Sequence, residues 1–138
     1  MDSLVGEFLA ALRRGDREAL ERLRIGRDEY LDVILPGSVA PGAPLQRVDR
    51  EKAGPFWWEY LTERSNLHRD ELVRILGGRE LVFVKSRFAK GSRIYANHVA
   101  HRRLVLELRD ENGEERHLQT GSVVEVGGRF KFVSFIRD

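Results

Sequence analysis

The sequence predicts an α+β fold, with helices first and one curved antiparallel sheet last. Three observations predict it. From Arg79 to Asp138 the chain alternates apolar and polar side chains and is cut by short glycine loops. Before that stretch the apolar residues recur at helical spacing instead. The two kinds of segment are also separated along the chain, not interleaved, which favours helices packed on one sheet face over a parallel α/β sheet.

Ser3 to Arg14 reads as a first helix, with Ser3 in capping position and Leu4, Phe8, Leu9 and Leu12 on one face. Gly15 ends it. Asp16 caps a short second helix running to about Arg24, with Ala19, Leu20 and Leu23 turned inward. A third short helix covers Glu29 to Leu35 and stops at Pro36. Pro36 to Pro44 carries three of the chain's four prolines and two glycines, the composition of an ordered loop or lid. A linker between domains is the other reading of that stretch. A long helix then runs from Pro55, a favourable first helical residue, to Leu76. Its inner face is marked by Trp57, Leu61, Leu72, Ile75 and Leu76, with Trp58 at the rim. Ser65-Asn66 interrupts the period, so one helix and two helices at an angle are both open. Gly77-Gly78 ends it.

Four strands follow: Glu80–Phe88, Arg93–Arg109, Glu115–Glu125 and Arg129–Arg137. The links Ala89-Lys90-Gly91, Glu111-Asn112-Gly113 and Val126-Gly127-Gly128 each place Gly third, where a type I turn with a G1 bulge needs positive φ. Such loops keep residue parity across the hairpin, so even-numbered side chains share the core face. That face holds Val82, Val84, Phe88, Ile94, Ala96, Leu104, Leu106, Leu108, Leu118, Val124, Phe130, Phe132 and Ile136. Asn112-Gly113 equally suits a two-residue I′ turn, and a bulge inside the long second strand would flip part of it. The odd face keeps Leu81, Phe83, Tyr95, Val99, Val105, Val123, Val133 and Phe135. An apolar patch of that size calls for a cover, and a second copy, a homodimer through the outer sheet face, supplies one.

With 138 residues the chain suits a single domain, 1–138, of ordinary size. It has no Cys, so neither a disulfide framework nor thiol chemistry. No secretory leader is visible, and no apolar run reaches the roughly 20 residues that span a bilayer. A cytoplasmic location is expected. A net charge of +2 with 33% charged residues is a mixed surface, which disfavours nucleic acid. There is no phosphate loop, GxSxG or HExxH pattern, and no cofactor is implied.

Two phrases carry a family resemblance: Glu7-Phe8-Leu9-Ala10-Ala11-Leu12-Arg13-Arg14-Gly15-Asp16 near the start, and Gly121-Ser122-Val123-Val124-Glu125-Val126-Gly127-Gly128-Arg129-Phe130-Lys131-Phe132-Val133 near the end. With them, most of the chain resembles the nuclear transport factor 2-like superfamily, also called cystatin-like or ketosteroid-isomerase-like. The resemblance implies a sheet curved round a long helix into a cone with a pocket, and dimers formed through the outer sheet face. The sequence departs at Tyr30–Val48, where a proline-rich stretch stands in place of a short hairpin.

Polar residues on the expected core face are the informative ones, since a buried polar group needs a partner. They are His98, Arg102, Thr120, Ser122 and Ser134, with Arg102 set opposite Ser122 and Thr120 opposite Ser134. A guanidinium, an imidazole and hydroxyls in an apolar cone suggest a small-molecule pocket with an anion anchor; Trp58 would line its mouth. The plain reading is that Arg102 and His98 sit near the sheet edge, wet or paired with a carboxylate. His98 and His101 point to opposite faces of a strand, so no metal site is expected. Asp32, Asp49 and His98 are the residues available as a general base, the role that superfamily enzymes give a pocket Asp or His. Three functions stay open: binding a small apolar or anionic molecule without assigned catalysis, an isomerase- or dehydratase-like enzyme in the same pocket, and a purely structural dimerisation or interaction module.

Overall fold

The computed structural model describes residues 1–137 and is α+β, helices preceding antiparallel sheets. Asp138, the end of the stretch read as sheet, lies outside the described residues.

Helix α1 (Asp2–Arg14) starts one residue before Ser3, with Met1 at its cap and no side-chain capping bond, so the Ser3 cap is corrected. Gly15 ends it at φ 64°. Asp16 caps α2 (Arg17–Arg22) as expected, its carboxylate accepting from Ala19 N at 3.0 Å. The third helical stretch is longer than expected. It runs through α3 (Arg27–Glu29), a π-helical turn (Tyr30–Ile34) and α4 (Leu35–Gly37), so Pro36 does not stop it. The wider π turn just before Pro36 takes up the clash its ring would make in a regular helix.

Helix α5 (Ala53–Leu76) is continuous through Ser65-Asn66. The break in period has another cause. Ser65 faces inward, fully buried, and its Oγ accepts from Phe135 N at 3.0 Å. Its inner face also differs from expectation: Trp57 is 53% exposed and Ile75 44%, whereas Leu72 and Leu76 are buried. Trp58 is the tryptophan that turns in, against Tyr30 at 5.3 Å.

The four expected strands are observed as seven. They are β1 (Val82–Phe88), β2 (Ser92–Ile94), β3 (Val99–His101), β4 (Leu104–Arg109), β5 (Glu115–Gln119), β6 (Val123–Val126) and β7 (Arg129–Phe132). One sheet has the order β1-β4-β5 and the other β2-β3-β6-β7. The long second strand is broken at Arg103, a non-glycine residue at φ 58°. Ala89-Lys90-Gly91 is no hairpin tip either: Phe88 pairs with Leu104 and Ser92 with His101, so the ribbon runs on and turns at Tyr95–His98.

The middle hairpin is as expected. Asp110 N bonds Glu114 O at 3.0 Å, Gly113 has φ 78°, and Leu106 faces Leu118. Asp110 fixes this turn by accepting from Asn112 N, Glu114 N and Arg116 Nε. The last hairpin is not as expected. Gly127 and Gly128 both take positive φ and form a two-residue turn, pairing Val126 with Arg129 and Val123 with Phe132.

Parity therefore fails twice. A bulge between Phe83 and Lys85 leaves Val82 and Val84 exposed, and the last turn puts odd Val123 on the same face as Phe132. The strand expected to reach Arg137 ends at Phe132, because Val133–Arg137 leaves the sheet to bond Ser65 and His68 of α5. Thr120 is consequently not paired with Ser134 across a strand.

One core packs α1 against both sheets. Phe8 lies 5.3 Å from Phe132 and 6.0 Å from Phe135, among Leu104, Leu106, Leu108 and Leu118. A second core joins Ile25, Tyr30, Leu31, Ile34 and Val124 on the other face of the second sheet. Within one chain, then, Val105, Val123 and Phe135 are buried and Leu81, Tyr95, Val99 and Val133 half-buried, which leaves Phe83 as the exposed member of the odd apolar set.

Residues 23–25 join the sheet directly. Phe132 N bonds Leu23 O and Ile25 N bonds Phe132 O, both at 2.8 Å. Between them Arg24 is buried; its Nε donates to Val133 O at 2.9 Å and its Nη1 to Glu21 at 2.8 Å. Truncating Arg24 to Ala strands the Val133 carbonyl and opens a void. It is expected to cost about 3 kcal/mol of unfolding free energy, measured by urea denaturation. A loss below ~1 kcal/mol would contradict this role.

Candidate functional site

The break at Arg103 builds the best candidate site. Opposite it, the β5–β6 strand passes through Thr120-Gly121-Ser122, and Leu104 bonds both Gly121 O and Thr120 N. Gly121 lies so close to the Ser134 carbonyl that a Cβ would overlap it, so only glycine fits. Both strands bend here, and a cleft of about 230 Å³ opens between Lys90, Arg102, Arg103, Thr120, Gly121, Ser122 and Ile136.

Its electrostatics are one-sided. Lys90, Arg102 and Arg103 line the cleft, no carboxylate does, and none of the three is in an ion pair among the described residues. Arg102 Nη2 donates to Lys90 O at 2.6 Å, which holds the two side by side. Arg103 N points at Ser122 Oγ, 3.4 Å away. Thr120 is wholly buried, and neither its Oγ1 nor Arg103 Nε has a hydrogen-bond partner among the described residues. Such groups cost free energy when unpaired. The αL backbone of Arg103 adds roughly 1–2 kcal/mol of strain.

A larger cleft of about 600 Å³ between α5 and β5 is chemically different. Its cations are already neutralised: Arg116 pairs with Asp110 at 3.0 Å and Arg137 with Glu71 at 2.8 Å.

Of the residues singled out in the sequence, Arg102, Thr120 and Ser122 meet in the smaller cleft. Ser134 sits just behind it, its Oγ accepting from Ile136 N at 3.4 Å. His98 and Trp58 are elsewhere. Trp58 belongs to the second core, under the Arg24 guanidinium at 4.9 Å. His98 is buried at the hairpin tip, stacked on Tyr95 at 5.0 Å. Asn97 gives its amide to Val33 O, so its Oδ1 accepts from His98 Nδ1 at 2.7 Å. Asp32 is ion-paired with Arg50. Asp49 caps the turn into α5, and backbone amides of Glu51 and Lys52 hold its carboxyl below the usual range. None of these carboxylates lines the cleft. His101 bridges strands: Ser92 Oγ lies 2.6 Å from Nδ1 and Glu125 3.2 Å from Nε2, with the ring stacked on Phe88 and Phe130. Both of its ring nitrogens are thus engaged in holding β2, β3 and β6 together.

Lys90, Arg103 and Gly121 were not singled out from the sequence. The basic run His98–Arg103 was the available signal, but a left-handed arginine has no signature in composition.

No family model, no curated protein and no solved structure matches the chain.

Burial lowers the His98 pKa from its ordinary value. The unfolded chain therefore takes up the proton first, so His98 adds acid sensitivity as pH falls below about 6.5. Between about pH 7.5 and about pH 5.5, His98→Gln is expected to lose less melting temperature than the unaltered chain. Equal losses in the two proteins would remove His98 as the cause.

Proposed function

We propose that the chain binds a small anion in the cleft at the sheet bend, without an assigned catalytic step. One observation carries this reading: among the described residues, three cations without ion pairs and no carboxylate line the cleft, beside a buried Thr120 hydroxyl that lacks a hydrogen-bond partner. Arg102 and Arg103 offer guanidinium forks suited to phosphate or carboxylate, Lys90 adds a point charge, and the hydroxyls add neutral donors. Ile136 gives one apolar wall, so a short alkyl carboxylate is also accommodated. The cleft's size suits a small group, not an extended chain.

The resemblance to the nuclear transport factor 2-like superfamily belongs to the same proposal. Helices that precede antiparallel sheets, with α1 packed against them, support it. An isomerase- or dehydratase-like reading has less support, because Asp32, Asp49 and His98 stand apart from the cleft.

The test is calorimetric titration with inorganic phosphate, against chloride at constant ionic strength, alongside thermal shift. At about a hundred times its dissociation constant, phosphate is expected to stabilise the chain by about 2.7 kcal/mol. Arg102→Ala combined with Arg103→Gly should abolish the effect, and glycine keeps the left-handed backbone without strain. Hexanoate in place of phosphate reads out the contribution of the Ile136 wall. Equal responses to phosphate and chloride, unchanged in the double variant, would sink the reading.

A further inference from the structure

Helix α5 is amphipathic in an unusual way: its outward face carries five large apolar or aromatic side chains among three charged ones, and no described residue covers them. At 100° per residue, Phe56, Trp57, Tyr60, Arg64, Leu67, Glu71, Arg74 and Ile75 fall within one stripe, and all are exposed. Leu67, at its middle, is 70% exposed, and Phe56, Trp57 and Tyr60 are 60%, 53% and 48% exposed. The three aromatic rings already touch edge to face, at 5.5 and 6.2 Å, and so form a rigid ridge. Contiguous exposed aromatics of this kind mark interaction surfaces, where Trp and Tyr are the residue types that anchor partners.

The stripe has two unlike halves. Its N-terminal half presents aromatic rings, and its C-terminal half presents Leu67, Arg74 and Ile75 with Glu71 between. We propose that the occupant of this face is a second copy of the chain, α5 packed antiparallel on α5 about a two-fold axis between Arg64 and Leu67. That operation sets Phe56 against Ile75, Trp57 against Arg74, Tyr60 against Glu71 and Arg64 against Leu67, each contact made twice. The outer pairs are apolar on apolar, guanidinium on indole and carboxylate on phenol, and at the axis the aliphatic stem of Arg64 lies on Leu67. Within its own chain Glu71 pairs with Arg137 at 2.8 Å and with Arg74 at 3.8 Å, and a carboxylate with two such partners still has lone pairs for a third. The stripe is roughly 30 Å long. One helix face falls short of the ~800 Å² per partner of a standard interface, so the dimer belongs to the weak, reversible class.

Sedimentation equilibrium of the unaltered chain is expected to show a reversible monomer–dimer transition. Leu67→Lys, which sets a cation against Arg64 across the axis, and Trp57→Ala should each weaken it roughly thirtyfold, the effect of a hot-spot residue. Far-ultraviolet dichroism and the phosphate response should stay unchanged in both variants. The chain has no Cys, so Leu67→Cys with a short bismaleimide should give a covalent dimer where Glu18→Cys, on α2, does not. A chain that stays monomeric at its highest soluble concentration overturns the proposal. So does a dimer that neither variant weakens, which would place the contact on another face.

Discussion

Everything in this fold leans on how residues 23–25 fasten the helices to the sheet. A polar linker between α2 and α3 could have run over the surface. Instead it pairs with β7 through Leu23 and Ile25, and the Arg24 side chain passes into the interior. Burial pushes its pKa down, while Glu21 pulls it back up. A guanidinium with several donors needs several acceptors there, and it finds Glu21, Val133 O, Thr62 Oγ1 and the Trp58 ring. Those partners come from α2, α5 and the C-terminal tail. One cation thus ties three segments that are remote in sequence.

The second constraint is the bend. Two sheets made from the same ribbons must fold at a common line, and Arg103 and Gly121 lie on it, on neighbouring strands. Gly121 lets the backbone of Ser134 approach, which turns the tail toward α5. Arg103 takes the left-handed conformation that the bend imposes. The cleft follows from this geometry: a fold line between strands cannot be filled by side chains that alternate up and down.

The sequence shows the layout more clearly than the phase. Glycine loops and apolar spacing mark the helix–sheet order, the Gly15 and Asp16 caps and the Asp110–Glu114 turn, because each depends on neighbours in the chain. Strand phase depends on a bulge and on the choice between two- and three-residue turns, and Gly127-Gly128 satisfies the local rules of both. Trp57 and Trp58 show the same limit. They differ by one position on a helix, and only the Arg24–Tyr30 contacts decide which turns inward. Arg102, Thr120 and Ser122 were legible because they are polar amid apolar neighbours. Arg24 was not, since one arginine among many carries no mark of burial.

Why should such a cleft hold an anion and not merely solvent? Lys90 and Arg102 are exposed and Arg103 half-buried, so solvent screens their mutual repulsion in part, but no carboxylate among the described lining residues cancels it. The left-handed arginine adds strain, and Thr120 adds a desolvated hydroxyl. Water relieves these costs only in part: it can bond Thr120 but cannot neutralise the cations. A carboxylate or phosphate removes the repulsion and accepts from the forks and hydroxyl together. Lys90, Arg102 and Arg103 could each have swung out to a surface carboxylate, as Arg13 does to Glu80 and Arg17 to Asp70. Instead Arg102 is held to the Lys90 carbonyl and Arg103 Nε is buried, so two of the three stay at the cleft wall. On the proposed reading, a cleft whose cations have no ion-pair partner among the described residues offers an anion a site whose ordering cost is partly met beforehand.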